Sequence, residues 1–167
     1  MFTRAEFDEA AALVYRVLAP TPQIHWPLLS RRAACEVWVK HENHNPTGAF
    51  KVRGGLVYLD DLKRRQPALR GVITATTGNH GQSIAFAGQR LGVPVTICVP
   101  HGNSVEKNSA MRGYGAELIE AGHDFQSARE TAIRLASERG LEMVPSFHPL
   151  LVRGVATYAH EQRMKRR

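Results

Sequence analysis

Two short segments bring reactive side chains together with glycine turns. In Thr76-Thr77-Gly78-Asn79-His80-Gly81, two hydroxyls, a carboxamide and an imidazole surround a glycine. A turn of this kind at the start of a helix exposes backbone N–H groups and adds partial positive charge. Both favour a carboxylate or a phosphate. The hydroxyls of Thr76 and Thr77 and the amide of Asn79 could add directed hydrogen bonds. The same spacing is equally that of a tight turn with a threonine cap. It is not the dinucleotide fingerprint, because G-x-G-x-x-G is absent.

Pro46-Thr47-Gly48-Ala49-Phe50-Lys51 is the second segment. Lys51 falls in the first turn of a predicted helix, where the macrodipole disfavours a cation. Partial burial beside Phe50 would act in the same direction. Both effects free the amine as a nucleophile, as Schiff-base chemistry requires. Phe50 could offer an aromatic face to a flat cofactor. By composition alone, Lys51 is also an ordinary surface lysine on a helix.

Other chemistries find less support. His41, His44, His80, His101, His123, His148 and His160 show no H-x-x-x-H spacing, and Cys35 and Cys98 form no C-x-x-C. No metal site is expected. The cysteines lie in strand-like apolar runs and are expected to be buried free thiols. There is no G-x-S-x-G element and no P-loop. Asp60 and Asp61 are expected to be solvated on a helix.

The elements that position these segments follow from periodicity. Thr3 and Glu6 form a capping box for a first helix, which Pro20 and Pro22 stop. Residues 36–42 alternate as a strand, Asn45 to Gly48 make a turn, and a helix spans about 49–65 despite Gly54 and Gly55. From Gly71, strands at 72–75, 95–99, 117–119 and 142–144 alternate with helices at 79–91, 105–114 and 124–139. That pattern predicts parallel pairing through right-handed crossovers. The expected class is α/β, with an open parallel sheet flanked by helices at about 71–148. Residues 1–70 and 149–167 would belong to a larger, incomplete second domain. In that setting the apolar faces carrying Val37, Val39, Leu56 and Leu59 would have few partners.

The chain has 167 residues, 43% of them hydrophobic and 22% charged, enough for a sizeable core. No run approaches the length of a membrane helix. Glu6, Asp8 and Glu9 stand where a secretion signal would be basic and then apolar, so a cytoplasmic protein is expected. The formal net charge is +7. Arg163, Lys165, Arg166 and Arg167 supply four of those charges, and basic residues are not interleaved with stacking aromatics. A nucleic-acid partner is therefore not expected.

Together the segments resemble a known family. Lys40-His41-Glu42 followed by Asn45 to Gly54 resembles the Schiff-base segment of fold-type II pyridoxal-phosphate enzymes. Thr76 to Gln82 resembles their asparagine loop, and Val99-Pro100, Lys107 and Tyr114 to Glu117 match a further stretch. The branch most resembled is the serine/threonine dehydratases (threonine ammonia-lyases), which includes serine racemase. The resemblance implies a tryptophan synthase β-like fold with pyridoxal 5'-phosphate as cofactor. Lys51 would form the Schiff base and move the α-proton. Phe50 would pack on the ring and Asn79 would bond its phenolic oxygen. Thr77, Gly78, Asn79 and His80 would hold the substrate carboxylate. The reaction would be β-elimination of threonine or serine to a 2-oxo acid and ammonia, in a parent that is a homo-oligomer. Thr77 stands where the racemase branch has serine, which weakens a racemase activity. Family members run to roughly twice this length, so the chain is expected to be an N-terminal portion. Its tail from Gln162 departs from the family pattern. The alternatives are a non-catalytic binding module built on the 71–148 unit, or a basic nucleic-acid binder using the tail.

Overall fold

Short strands that are buried at every position need both of their faces covered. The computed structural model describes residues 2–164, and Lys165, Arg166 and Arg167 of the basic tail lie outside them. Four strands, β3 (Val72–Ala75), β4 (Val95–Val99), β5 (Glu117–Glu120) and β6 (Glu142–Met143), form a parallel sheet in the order β5-β4-β3-β6. Every residue of β3 and β4 is buried. Helices α4 (Asn79–Leu91), α5 (Val105–Gly113) and α6 (Phe125–Arg139) connect them. Alternation along the strands divides the core between the two faces. Val72, Val95, Ile97 and Val99 join α4 and α5 on one face. Ile73, Ala75 and Cys98 meet Ala128, Ala132 and Leu135 of α6 on the other. The expected parallel pairing is present, with one helix between each strand and the next.

The preceding residues build α1 (Arg4–Tyr15), β1 (Gln23–His25), α2 (Pro27–Ala33), β2 (Trp38–Lys40) and α3 (Lys51–Arg65). The last element is α7 (Pro149–Met164). Thr3 caps α1 with Glu6 in the expected reciprocal box. Three of these elements were not foreseen: β1, which pairs antiparallel with β2, the short helix α2, and α7. One apolar cluster joins Ala10, Val14, Val52, Leu56, Leu59 and Leu62 to Val72, Ile84, Ile97 and Val144, and so crosses residue 70.

The structure corrects two expectations in part. Leu56 and Leu59 are almost wholly buried rather than short of partners. Val37 and Val39 are half-buried, while Ile24, Trp26, Leu28, Leu29 and Trp38 around them are exposed. Cys98 is a buried free thiol, but Cys35 is exposed, in the turn that leaves α2.

Gly54 and Gly55 turn out to be packing residues rather than tolerated interruptions of α3. A Cβ on Gly54 would stand 2.6 Å from the carbonyl oxygen of Leu151 in α7. One on Gly55 would stand 2.3 Å from Ser83 Oγ in α4. Gly154 of α7 returns the first contact, with a Cβ position 2.4 Å from the Arg53 carbonyl. The missing side chains let α3 lie directly against both helices. Among the described residues no helix is long and apolar enough to cross a membrane.

Candidate functional site

The strand order reverses at β3, because β4 and β5 lie to one side of it and β6 to the other. A crevice at such a reversal, beyond the carboxyl ends of the strands, is where open α/β sheets collect ligands. The loop leaving β3 there is Thr76-Thr77-Gly78, and α4 begins at Asn79.

The close contact of α3 and α4 fixes the other side of the crevice. Ser83, one turn into α4, donates from Oγ to the Lys51 carbonyl at 2.6 Å. Lys51 is the first residue of α3, so the N-terminal ends of both helices meet. The turn before Lys51 is closed by Gly48 N–H to Asn45 O at 2.8 Å. Tyr114, following α5, pins it by donating to Pro46 O at 2.7 Å. The structure thus brings Phe50, Lys51, Thr77, Gly78, Asn79 and His80 to one place. Lys51 and Phe50 are exposed, which corrects the expectation that burial acts on the amine. Phe50 lies 6.0 Å from the Tyr158 ring of α7, between centroids.

The polar groups of the loop divide sharply. Thr76 is buried, and its Oγ accepts from Gly78 N–H at 2.9 Å and from Gly81 N–H at 3.3 Å. Its hydroxyl builds the turn and does not face a ligand, contrary to the sequence expectation. His80 is also turned inward, with Nε2 3.1 Å from Thr74 Oγ. Thr74 Oγ donates to the Val144 carbonyl at 3.0 Å, so it accepts from His80 and the imidazole carries its proton on Nε2. Burial, and after it the charge of Lys51, push the His80 pKa down to about 4. The ring is therefore neutral at pH 7, and what His80 offers the crevice is its backbone N–H. Among the described residues nothing accepts from the N–H groups of Thr77, Asn79 and His80, nor pairs with the Asn79 carboxamide or the Lys51 amine. Three unpaired donors at a helix N-terminus form a ready anion seat.

Behind Lys51 lies a buried ionic network that sequence reasoning did not assemble. Arg53, fully buried, donates to Glu42 through Nε at 2.8 Å and Nη2 at 3.0 Å. Through Nη1 it reaches Glu161 of α7 at 2.7 Å and Thr157 at 3.0 Å. Glu161 also takes the Lys40 ammonium and the Tyr15 hydroxyl, the latter at 2.7 Å. Glu42 is held by Thr21 at 2.6 Å and Asn45 at 2.7 Å. Burial raises the Glu161 pKa, but the donors from Lys40, Tyr15 and Arg53 outweigh it and leave the carboxyl below its usual range. Burial and the adjacent Glu161 raise the Tyr15 phenol well above its usual value. The network ties both ends of the segment 40–53 to α7.

Comparison with known proteins identifies the family and the fold. The family described as pyridoxal-phosphate dependent enzyme matches residues 14–165. The chain is 39% identical over 151 residues to the biosynthetic L-threonine dehydratase IlvA of Salmonella typhimurium, covering 90% of this chain and 29% of that protein. The crystal structure of a pyridoxal 5'-phosphate-dependent aspartate racemase superposes with a TM-score of 0.91 at 32% identity, over 98% of this chain and 51% of that one. Threonine deaminase isoform 2 of Solanum lycopersicum superposes with a TM-score of 0.84 at 29% identity, over 98% and 49%. The chain therefore spans less than a third of the dehydratase and about half of each solved chain. The fold is the fold-type II arrangement of these enzymes.

Proposed function

The chain belongs to the family of pyridoxal-phosphate-dependent enzymes, and from that premise we propose that it carries the lysine-bearing half of a β-elimination site for threonine or serine. The observation that supports this reading is the junction of the first turns of α3 and α4, where Ser83 holds the Lys51 carbonyl, the Lys51 charge acts on His80, and the N–H groups of Thr77, Asn79 and His80 are unpaired among the described residues. The donor set fits the cofactor. A free amine suits its aldehyde, an unpaired carboxamide suits a ring oxygen, and an exposed aromatic face at Phe50 suits its ring. When bound, pyridoxal phosphate supplies the electron sink for the pair left at the α-carbon.

The residues of this half would act as follows. The N–H groups of Thr77, Asn79 and His80 hold the amino-acid carboxylate and so orient the α-carbon. Lys51, in the first turn of α3, takes the α-proton, which leaves with the β-hydroxyl as water. Loss of that proton and of the β-hydroxyl, followed by hydrolysis of the released enamine, yields a 2-oxo acid and ammonia. The likeness to an aspartate racemase favours a second reading, proton exchange at the α-carbon. That reaction needs an acid on the face opposite Lys51, and the exposed hydroxyl of Thr77 is the group that would serve. Either enzyme would act in the cytoplasm on a small amino acid.

Substoichiometric pyridoxal phosphate followed by borohydride reduction and peptide mass mapping tests the site. The pyridoxyl mass is expected on Lys51 and is lost in Lys51→Ala. A label spread evenly over exposed lysines would refute the assignment.

A further inference from the structure

Lys107 has no part in the roles described so far, yet its side chain lies on the anion seat. Ser104 caps α5 and accepts from Lys107 N–H at 3.4 Å, which places Lys107 in the first turn of that helix. From there the side chain runs back over the β3–α4 loop. Its Cδ and Nζ stand 2.7 and 2.8 Å from where a Cβ on Gly78 would be, and nothing else is as near to that point. Gly78 is the residue between Thr77 and Asn79, so the exposed Lys107 side chain lies against the loop that carries the three unpaired donors.

Electrostatically this is an unfavourable place for a lysine. It lies in the first turn of α5 and beside Gly78, the N-cap of α4, so the positive ends of both helices are near. The Lys51 charge is close enough to act on His80. Among the described residues no carboxylate pairs with the Lys107 ammonium. Glu106, its neighbour in sequence, forms no ion pair with it, and the nearby Asn108 is bonded to Asn103. Positive ends and cations converge here without a counter-charge inside the protein, and a bound carboxylate would supply one.

We propose that Lys107 is the specificity-determining cation for the ligand's carboxylate. It favours α-amino acids with a free carboxylate over their amides and esters. The inference rests on the proposed carboxylate role of the Thr77–His80 loop, and it adds a side-chain charge to a seat otherwise built of backbone.

The test uses the full chain and two probes, L-threonine and L-threoninamide, which differ in the carboxylate. Amide chemical shifts of Thr77, Asn79 and His80 are followed during titration of the wild type and of Lys107→Met. In the wild type L-threonine is expected to shift all three amides saturably. In Lys107→Met its affinity is expected to fall by about 3- to 10-fold, with L-threoninamide binding unchanged. Equal L-threonine affinity in the two proteins would overturn the role of Lys107 and leave the seat standing. Equal weakening of both probes would overturn it too, by showing that the lysine only shapes the loop. If L-threonine leaves the wild-type amides unmoved, the carboxylate seat itself falls and Lys107 with it.

Discussion

Replacing Arg53 by methionine should be among the most damaging single changes available to this chain. Lys40 and Arg53 balance Glu42 and Glu161 in the buried network, so the native cluster is neutral. Methionine keeps much of the side chain's length but removes the guanidinium. Glu42 then loses a bidentate partner and Glu161 loses one of its two cations. One negative charge is left uncompensated where side chains are 11% exposed or less. Breaking a buried pair in this way costs about 3–5 kcal/mol. A domain's whole stability is about 5–15 kcal/mol. Urea denaturation at pH 7 followed by far-UV circular dichroism would read the loss as a midpoint lower by about 2 M, for a slope near 2 kcal/mol/M. Adding Glu161→Gln restores neutrality, so the double variant should recover about 1–3 kcal/mol relative to additive costs. A variant within 1 kcal/mol of the wild type, or a strictly additive double variant, would refute the network's role in holding the Lys51 segment to α7.

Two further predictions concern the crevice walls. The folded pKa of His80 is depressed to about 4 from an ordinary 6.5, so the unfolded chain binds the extra proton between those values. Its contribution is fully present above pH 6.5 and is lost as pH falls toward 4. It amounts to roughly 3 kcal/mol. His80→Gln should flatten the stability profile over that window, and an unchanged slope would count against the buried neutral ring. Gly55→Ala places a methyl 2.3 Å from Ser83 Oγ and 2.8 Å from the Ser83 carbonyl oxygen. It should cost about 1–3 kcal/mol and reduce trapping at Lys51, because α3 can no longer lie on α4. Normal stability with normal trapping would show that the helix contact does not position the lysine.

What could be foreseen from sequence and what could not divides along the range of the interactions. The parallel sheet was legible because each central strand is a short run of apolar residues broken only by one threonine. Thr3, Asp124 and Gly140 also mark helix ends within a few residues of themselves. β1 and α2 left no such signal. Trp26, Leu28, Leu29 and Trp38 face outward, and α2 buries none of its residues, so no periodicity betrays them. The site was legible as two motifs but not as a geometry. Thr76 and Thr77 look alike in sequence, yet one hydroxyl is consumed inside the turn while the other faces out. Only the path of the loop distinguishes them. The ionic network is the extreme case, since Arg53 meets Glu161 across 108 residues. Each of its charges, taken singly, resembles a solvated surface residue. The available signal was that Lys40, Glu42, Asn45 and Arg53 crowd into the segment that carries Lys51. In the proposed site the Lys51 amine faces backbone N–H groups, and such a placement needs a support that does not shift. Charges buried in a mutually satisfied cluster supply one, because each of them holds the others in place.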